Sequence, residues 1–177
     1  MASGINHIKG TLLIAIPVGL VGFFGGGGIP DGLACALGCL SGIILSPDLD
    51  VEHRTESEYL IYRVLGKFLG AIWFAFWWPY GKMIPHRSPL SHAPILGTII
   101  RILYIYGLGG ILWFAFAWAI TGHGTWLPMP NWLHPLAFWW LIGLIFADAL
   151  HYIMDVLPFW KQHRYPWWMR TLRKLFR

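Results

Sequence analysis

Charged side chains are scarce in this sequence. Asp, Glu, Lys and Arg make up 12% of its 177 residues, whereas hydrophobic types make up 56%. A soluble domain carries about 25% charged residues, so the composition excludes an ordinary water-soluble protein. The uncharged runs at 102–122 and 132–147 approach or exceed the ~20 apolar residues that span a bilayer. The sequence therefore predicts an integral membrane protein.

Cysteine is almost absent, since Cys35 and Cys39 are the only two. Four residues apart in an apolar stretch, they share one helix face with no loop between them, which excludes a disulfide framework. Ala34, Gly38 and Gly42 also recur every fourth residue. Small residues in this pattern predict close helix packing in lipid.

Several functional motifs are also missing. The glycine run at 25–28 has no following Lys, so it predicts a turn and not a phosphate-binding loop. No serine nucleophile elbow and no nucleic-acid motif is present, and no nucleic-acid partner is expected. The amino end shows no signal-peptide cleavage site, so the spans themselves are expected to direct membrane insertion.

The apolar runs predict one all-α domain over 1–177, a polytopic membrane helix bundle of about four transmembrane spans. We place the spans at 8–24, 33–45, 94–120 and 132–156. The tryptophan-rich stretch at 68–83 predicts an additional interfacial helix. The alternating basic and aromatic residues of the tail at 158–177 predict an amphipathic helix on an anionic lipid surface.

Lys and Arg are distributed unevenly among the connections. The connections at 25–32 and 121–131 contain none, whereas 46–92 contains five and the tail six. Because basic residues accumulate on the cytoplasmic side, both termini and the 46–92 segment are expected there. The predicted location is a bacterial inner membrane or a thylakoid, with membrane lipids as partners.

Three ionisable residues interrupt the last span. Asp148, His151 and Asp155 lie within about 60° of one helix face. Carboxylates in hydrocarbon pair, line water or bind cations. An ion pair with Arg101 or Arg87 is one explanation, but one arginine cannot neutralise two aspartates and leaves the histidine unexplained.

Further ligand-type residues are predicted to reach the same membrane face. Asp48 and Asp50 follow the second span, His86 and His92 lie in the proline-rich stretch IPHRSPLSH, and His7 precedes the first span. The candidate metal ligands are four imidazoles and four carboxylates: His7, Asp48, Asp50, His86, His92, Asp148, His151 and Asp155. This mixed nitrogen and oxygen set suits Zn²⁺ first, with Fe²⁺ or Mn²⁺ as alternatives, and one or two ions are expected.

The motifs SPDLD, HRSPLSHAPILGTIIR and ADALHYIMD, in this order, resemble those of a bacterial family of small membrane proteins. That family is described as metal-binding, has no known function and is common in oxygenic phototrophs. More distantly, the pattern is similar to membrane-bound metal-dependent hydrolases of the LexA-regulated type, which are thought to be related to zinc-dependent phospholipase C. The hydrolases carry a His directly after Asp-x-Asp, whereas His53 here follows Val51 and Glu52.

The distant resemblance implies hydrolysis of a phosphoester at the cytoplasmic membrane face. Under that hypothesis Arg87 is the candidate phosphate clamp, Asp50 is a candidate catalytic residue, and an aspartate or an unligated histidine is the general base. One alternative is a non-enzymatic metal-binding accessory or assembly subunit of a larger membrane complex. Another is tetrapyrrole ligation by His123, His134 or His151.

Overall fold

The computed structural model describes residues 4–51, 55–86, 88–125, 131 and 133–156. Within these ranges the chain forms no strand, one 3-10 turn at Pro47–Asp50 and six helices: α1 (Gly4–Gly25), α2 (Ile29–Ser41), α3 (Glu56–Met83), α4 (Pro89–His92), α5 (Pro94–Thr121) and α6 (Leu133–Val156). The predicted all-α class is confirmed. His53, Arg87 and the basic tail at 158–177 lie outside the described residues.

Four helices are long and apolar enough to cross a membrane, namely α1, α3 from Ser57, α5 and α6. The number of such helices equals the predicted number of spans, but helix α2, which lies in the predicted span at 33–45, is not one of the four. Helix α2 has 13 residues and ends at Ser41, so at 1.5 Å per residue it is about 20 Å long and too short to span. The fourth long helix is instead α3, in the region where the sequence predicts an interfacial helix.

Helix α3 reverses direction at Gly66. It begins in a capping box, in which Thr55 and Glu58 exchange side-chain and backbone hydrogen bonds of 2.9 and 3.3 Å. Gly66 has a positive φ of 81°, and a Cβ placed on Gly70 would lie 2.7 Å from the Tyr62 ring. Residues eight apart in a straight helix are separated by about 12 Å, so this contact requires the two arms to fold together.

Both ends of α3 consequently lie near the Pro47–Asp50 turn. A Cβ on Gly81 would be 3.3 Å from the Asp50 carbonyl oxygen, and Ser57 lines a cavity together with Asp48. The arms, 56–65 and 67–83, measure about 15 and 25 Å, each shorter than a bilayer core, so α3 reaches spanning length only when both arms are counted together. The second arm coincides with the predicted interfacial helix.

Helix α2 packs against α6 through small residues. A Cβ on Gly38 would lie 1.9 Å from the Trp140 carbonyl oxygen, and one on Gly143 would lie 1.9 Å from that of Cys35. Cys35 and Cys39 are free and fully buried at this contact. The close packing predicted for this helix face is confirmed, and it brings backbone against backbone where lipid provides no hydrophobic drive for association.

The polarity of the fold is reversed relative to a soluble protein. Large apolar side chains such as Leu13, Ile16 and Phe24 are more than three-quarters exposed, whereas Arg101 and Asp148 are 0% and 1% exposed. Exposed apolar surface of this extent is typical of helices that face lipid. Apart from Asp31, the buried polar residues of the described ranges gather at the end of the bundle where α1 and α5 begin and α6 ends.

Candidate metal centre

A short turn places two carboxylates at that end of the bundle. Ser46 caps the turn by accepting a 3.2 Å hydrogen bond from the Asp48 backbone N–H, and Pro47 suits its first position because it needs no donor there. Asp48 and Asp50 leave the turn towards α6 and α4 respectively. The turn therefore brings a loop carboxylate to helix-borne histidines.

Asp48, His92 and His151 form the centre of the cluster. Asp48 Oδ1 lies 3.6 Å from His92 Nε2 and 3.5 Å from His151 Nε2. Both nitrogens are buried and have no hydrogen-bond partner. Normal N–H···O distances centre near 2.9 Å, whereas two ligands of one tetrahedral zinc ion, each at about 2.1 Å from it, lie about 3.4 Å apart. The separations fit shared coordination better than direct hydrogen bonding.

The tautomer of His92 supports this assignment. Ser91 Oγ donates its proton to the Ser88 carbonyl oxygen at 3.1 Å, so it accepts from His92 Nδ1 at 2.9 Å. A hydroxyl has only one proton, and a neutral imidazole with its proton on Nδ1 presents a lone pair at Nε2. That lone pair faces the Asp48 carboxylate oxygen. Two acceptors that face each other need a cation between them.

Burial and histidine contacts act in opposite directions on Asp48. Burial raises the pKa of its carboxyl group, but when the His151 and His92 imidazoles carry protons on the facing nitrogens, their hydrogen bonds and positive charge outweigh this effect and hold the pKa well below its ordinary range. A cation bound in place of those protons acts in the same direction. Asp48 is therefore an ionised ligand candidate throughout the neutral range.

His7, His151 and Asp155 adjoin the centre on one side. The His7 and His151 rings stack with centroids 3.8 Å apart. Asp155 Oδ1 lies 3.2 Å from His7 Nε2, and its Oδ2 lies 3.7 Å from His151 Nε2. These three residues form a second group with ligand geometry. Since His151 Nε2 belongs to both groups and has one lone pair, the two groups compete for one ion.

Asp50, His86 and His92 adjoin the centre on the other side. Asp50 Oδ1 lies 2.7 Å from His86 Nδ1, and its Oδ2 lies 3.5 Å from His92 Nδ1. Asp50 is almost fully buried, whereas His86 is exposed. A carboxylate behind a ligating imidazole fixes the orientation and tautomer of that ring.

Asp148 lies beside these groups and belongs to none of them. Its Oδ2 accepts hydrogen bonds from Arg101 and Thr98, and Arg101 also donates to the Ser91 carbonyl oxygen at 3.4 Å. The ion pair with Arg101 was one explanation open from the sequence. Thr98 was missed, and its position three residues before Arg101 on one helix face was the available signal.

A small cavity of about 30 Å³ opens beside the centre, between α1, the turn and α6. His7, Asp48, Asp148 and His151 are among the residues that line it. This volume holds about two water molecules, for which several of these polar side chains are partners. The site thus combines ligand atoms with room for water.

The structure brings seven of the eight predicted ligands into one continuous cluster and places Asp148 at its edge. The buried, unpartnered imidazole nitrogens of His92 and His151, together with the adjacent carboxylates, fit a divalent cation. As a ligand set these residues remain a prediction. Arg87, the predicted clamp, lies outside the described residues.

Comparison with known proteins identifies the family. An uncharacterized protein of Aquifex aeolicus strain VF5 is 29% identical over 140 residues, covering 73% of this chain and 89% of that protein. No solved structure matches the chain. Residues 2–165 match the family described as uncharacterized metal-binding protein (DUF2227). That description agrees with the nearer resemblance of the sequence motifs, and the chain belongs to this family of metal-binding proteins.

Proposed function

We propose that this membrane protein is a metal-dependent hydrolase that acts on a phosphoester at the cytoplasmic membrane face. The observation that carries the proposal is the Asp48, His92 and His151 triad beside a cavity of water size. Three protein ligands with a remaining position for water are typical of catalytic zinc sites, whereas structural sites have four protein ligands.

When bound, a divalent ion supplies a Lewis acid that lowers the pKa of a water towards neutrality. The residues of the chain provide the remaining functions. Asp48, His92 and His151 hold the ion, and Ser91 fixes the His92 tautomer by accepting from Nδ1. Asp50, a catalytic residue predicted from the sequence, lies behind His92 and is assigned here to orienting that ring.

Substrate binding is assigned to the exposed side of the cluster. The cavity is too small for a phosphoester, so the substrate must approach from the membrane surface, where His86 is exposed. Arg87 follows His86 in the sequence and is the proposed phosphate clamp, because a guanidinium matches phosphate oxygens in a bidentate fork. Basic residues at 46–92 support a cytoplasmic position for this face.

The test begins with the protein purified in mild detergent without added metal. Elemental analysis and a visible spectrum measure the bound metal and any tetrapyrrole. Hydrolysis of bis(p-nitrophenyl) phosphate and of phosphatidylcholine vesicles is then followed with and without a chelator. We expect near-stoichiometric Zn²⁺ and hydrolysis that the chelator abolishes.

The control is His123→Ala, which removes an exposed histidine outside the ligand cluster and is expected to leave metal and hydrolysis unchanged. Stoichiometric metal without hydrolysis of either substrate would favour the metal-binding accessory subunit. Tetrapyrrole absorbance would overturn the metal-centre hypothesis.

A further inference from the structure

We propose that Asp148 holds and orients a water in the cavity beside the metal centre, and is not itself a metal ligand. The inference rests on the proposed function, because it assigns a role beside that centre. It differs from the ligand role predicted for Asp148 from the sequence.

The two oxygens of Asp148 have different environments. Oδ2 accepts from Arg101 and Thr98, and these two donors restrain the carboxylate from rotating. Oδ1 is buried and has no hydrogen-bond partner. An unpartnered buried acceptor leaves its desolvation uncompensated, so its retention calls for a partner such as an ordered water.

The cavity provides the space for that partner. Asp148 lines it together with His7, Asp48 and His151, and about 30 Å³ is enough for a water. Because Oδ1 is the oxygen of Asp148 that lacks a partner, we infer that a water in the cavity donates a hydrogen bond to Oδ1 and lies beside the candidate ligands. Asp148 also lies outside every ligand group found among the described residues.

The ion pair with Arg101 suits this role. Arg101 is fully buried, and its positive charge favours the ionised form of Asp148 against the burial of the carboxyl group, which favours the neutral acid. An ionised carboxylate accepts stronger hydrogen bonds than a neutral one. The pair therefore preserves a strong acceptor at the cavity while leaving Oδ1 free for the water.

The test compares Asp148→Asn with Asp48→Asn, and uses Asp31→Asn as the matched control. Asp31 is also a buried aspartate, but it lies in the first turn of α2, at the end of that helix away from the metal centre. Its carboxylate accepts a hydrogen bond from the Gly27 N–H. We expect Asp148→Asn to retain its metal while kcat falls about 100-fold or more with little change in KM. Asp48→Asn should lose metal, and Asp31→Asn should change neither quantity.

A crystal structure of the wild type gives a readout independent of activity. We expect a water about 2.7 Å from Asp148 Oδ1, in the metal-free as well as the metal-loaded protein. A metal about 2.1 Å from that oxygen, or a dry cavity, would overturn the inference. Loss of metal from Asp148→Asn, or unchanged kcat in it, would do the same.

Failure of the proposed function gives a different result. If the wild type binds metal but hydrolyses nothing, the hydrolase proposal fails and the water beside Oδ1 still decides the role of Asp148. If Asp148→Asn does not fold, the double variant Asp148→Asn/Arg101→Leu removes the unpaired guanidinium with the carboxylate charge. Retained metal in that variant supports the inference, and lost metal contradicts it.

Discussion

Two carboxylates at one end of the bundle, the half-buried Asp48 and the buried Asp148, are compensated in different ways. Asp148 receives hydrogen bonds from Arg101 and Thr98, and this ion pair is complete within the protein. Asp48 faces His92 and His151 nitrogens at 3.6 and 3.5 Å, and neither nitrogen has a hydrogen-bond partner. The same residue type is therefore half of an ion pair at one position, whereas at the other we propose that it is a cation ligand.

The largest effect should come from breaking the complete pair. Arg101→Met leaves the buried Asp148 charge without its partner, and loss of one partner of a buried pair destabilises a protein by about 3–5 kcal/mol. Thermal unfolding in detergent should show this loss equally with and without metal. Arg63→Met, which changes an exposed arginine, is the control and should stay near the wild type. An unfolding midpoint for Arg101→Met equal to that of the wild type would contradict the pairing.

Disrupting the metal site should reduce stability by a smaller amount, and only when metal is present. His151→Ala removes the nitrogen shared by two ligand groups, so we expect the metal to be lost. At free metal 100 times Kd, binding stabilises the wild type by about 2.7 kcal/mol, and the variant should lack this gain. The measurement is the unfolding midpoint against metal concentration, with His123→Ala as the control. A metal-dependent midpoint in His151→Ala would remove α6 from the site.

The positions of most ligand candidates were predictable from the sequence. Asp148, His151 and Asp155 share a helix face because their spacing follows the helical period, and Pro47 marks the turn that carries Asp48. Periodicity could not show that Asp148 would pair with Arg101 and so lie outside the ligand groups. That choice depends on how α5 docks against α6, a tertiary contact between residues that are 47 positions apart in the sequence.

The difference between the predicted span at 33–45 and the observed helix α2 has a similar cause. No charge marks the end of α2 at Ser41, because the apolar residues Ile43, Ile44 and Leu45 continue past it. The reversal of α3 was also hidden, since Gly66 is a single glycine between Arg63 and Lys67 with no proline beside it, and a helical glycine is tolerated. Its positive φ follows from the tertiary contact of the two arms. Hydropathy predicted the number of long apolar helices, but the direction of each helix depends on tertiary packing.

Acidification should separate the two kinds of site. Protons compete with metal for imidazole nitrogens, whose ordinary pKa is about 6.5, so affinity should fall by up to about 100-fold per pH unit below that value when two imidazoles ligate. The pKa of Asp48 is lowered in the fold, so its contribution to stability is present above the unfolded carboxyl pKa of about 3.9 and is lost only as pH falls below it. Metal release in an equilibrium titration should therefore precede acid unfolding. Release that begins only below pH 4 would contradict imidazole ligation.

The smallest effect should come from the exposed edge of the cluster. His86→Ala removes the exposed partner of Asp50 but leaves Asp48, His92 and His151 in place. If one ion occupies the triad, His86 acts only through Asp50 and His92, and metal affinity should fall by less than about 10-fold, the lower end of the range for outer partners. If a second ion binds Asp50, His86 and His92, the variant should instead lose one of two equivalents. Metal content per protein, measured beside His151→Ala, distinguishes these cases and decides whether the cluster binds one ion or two.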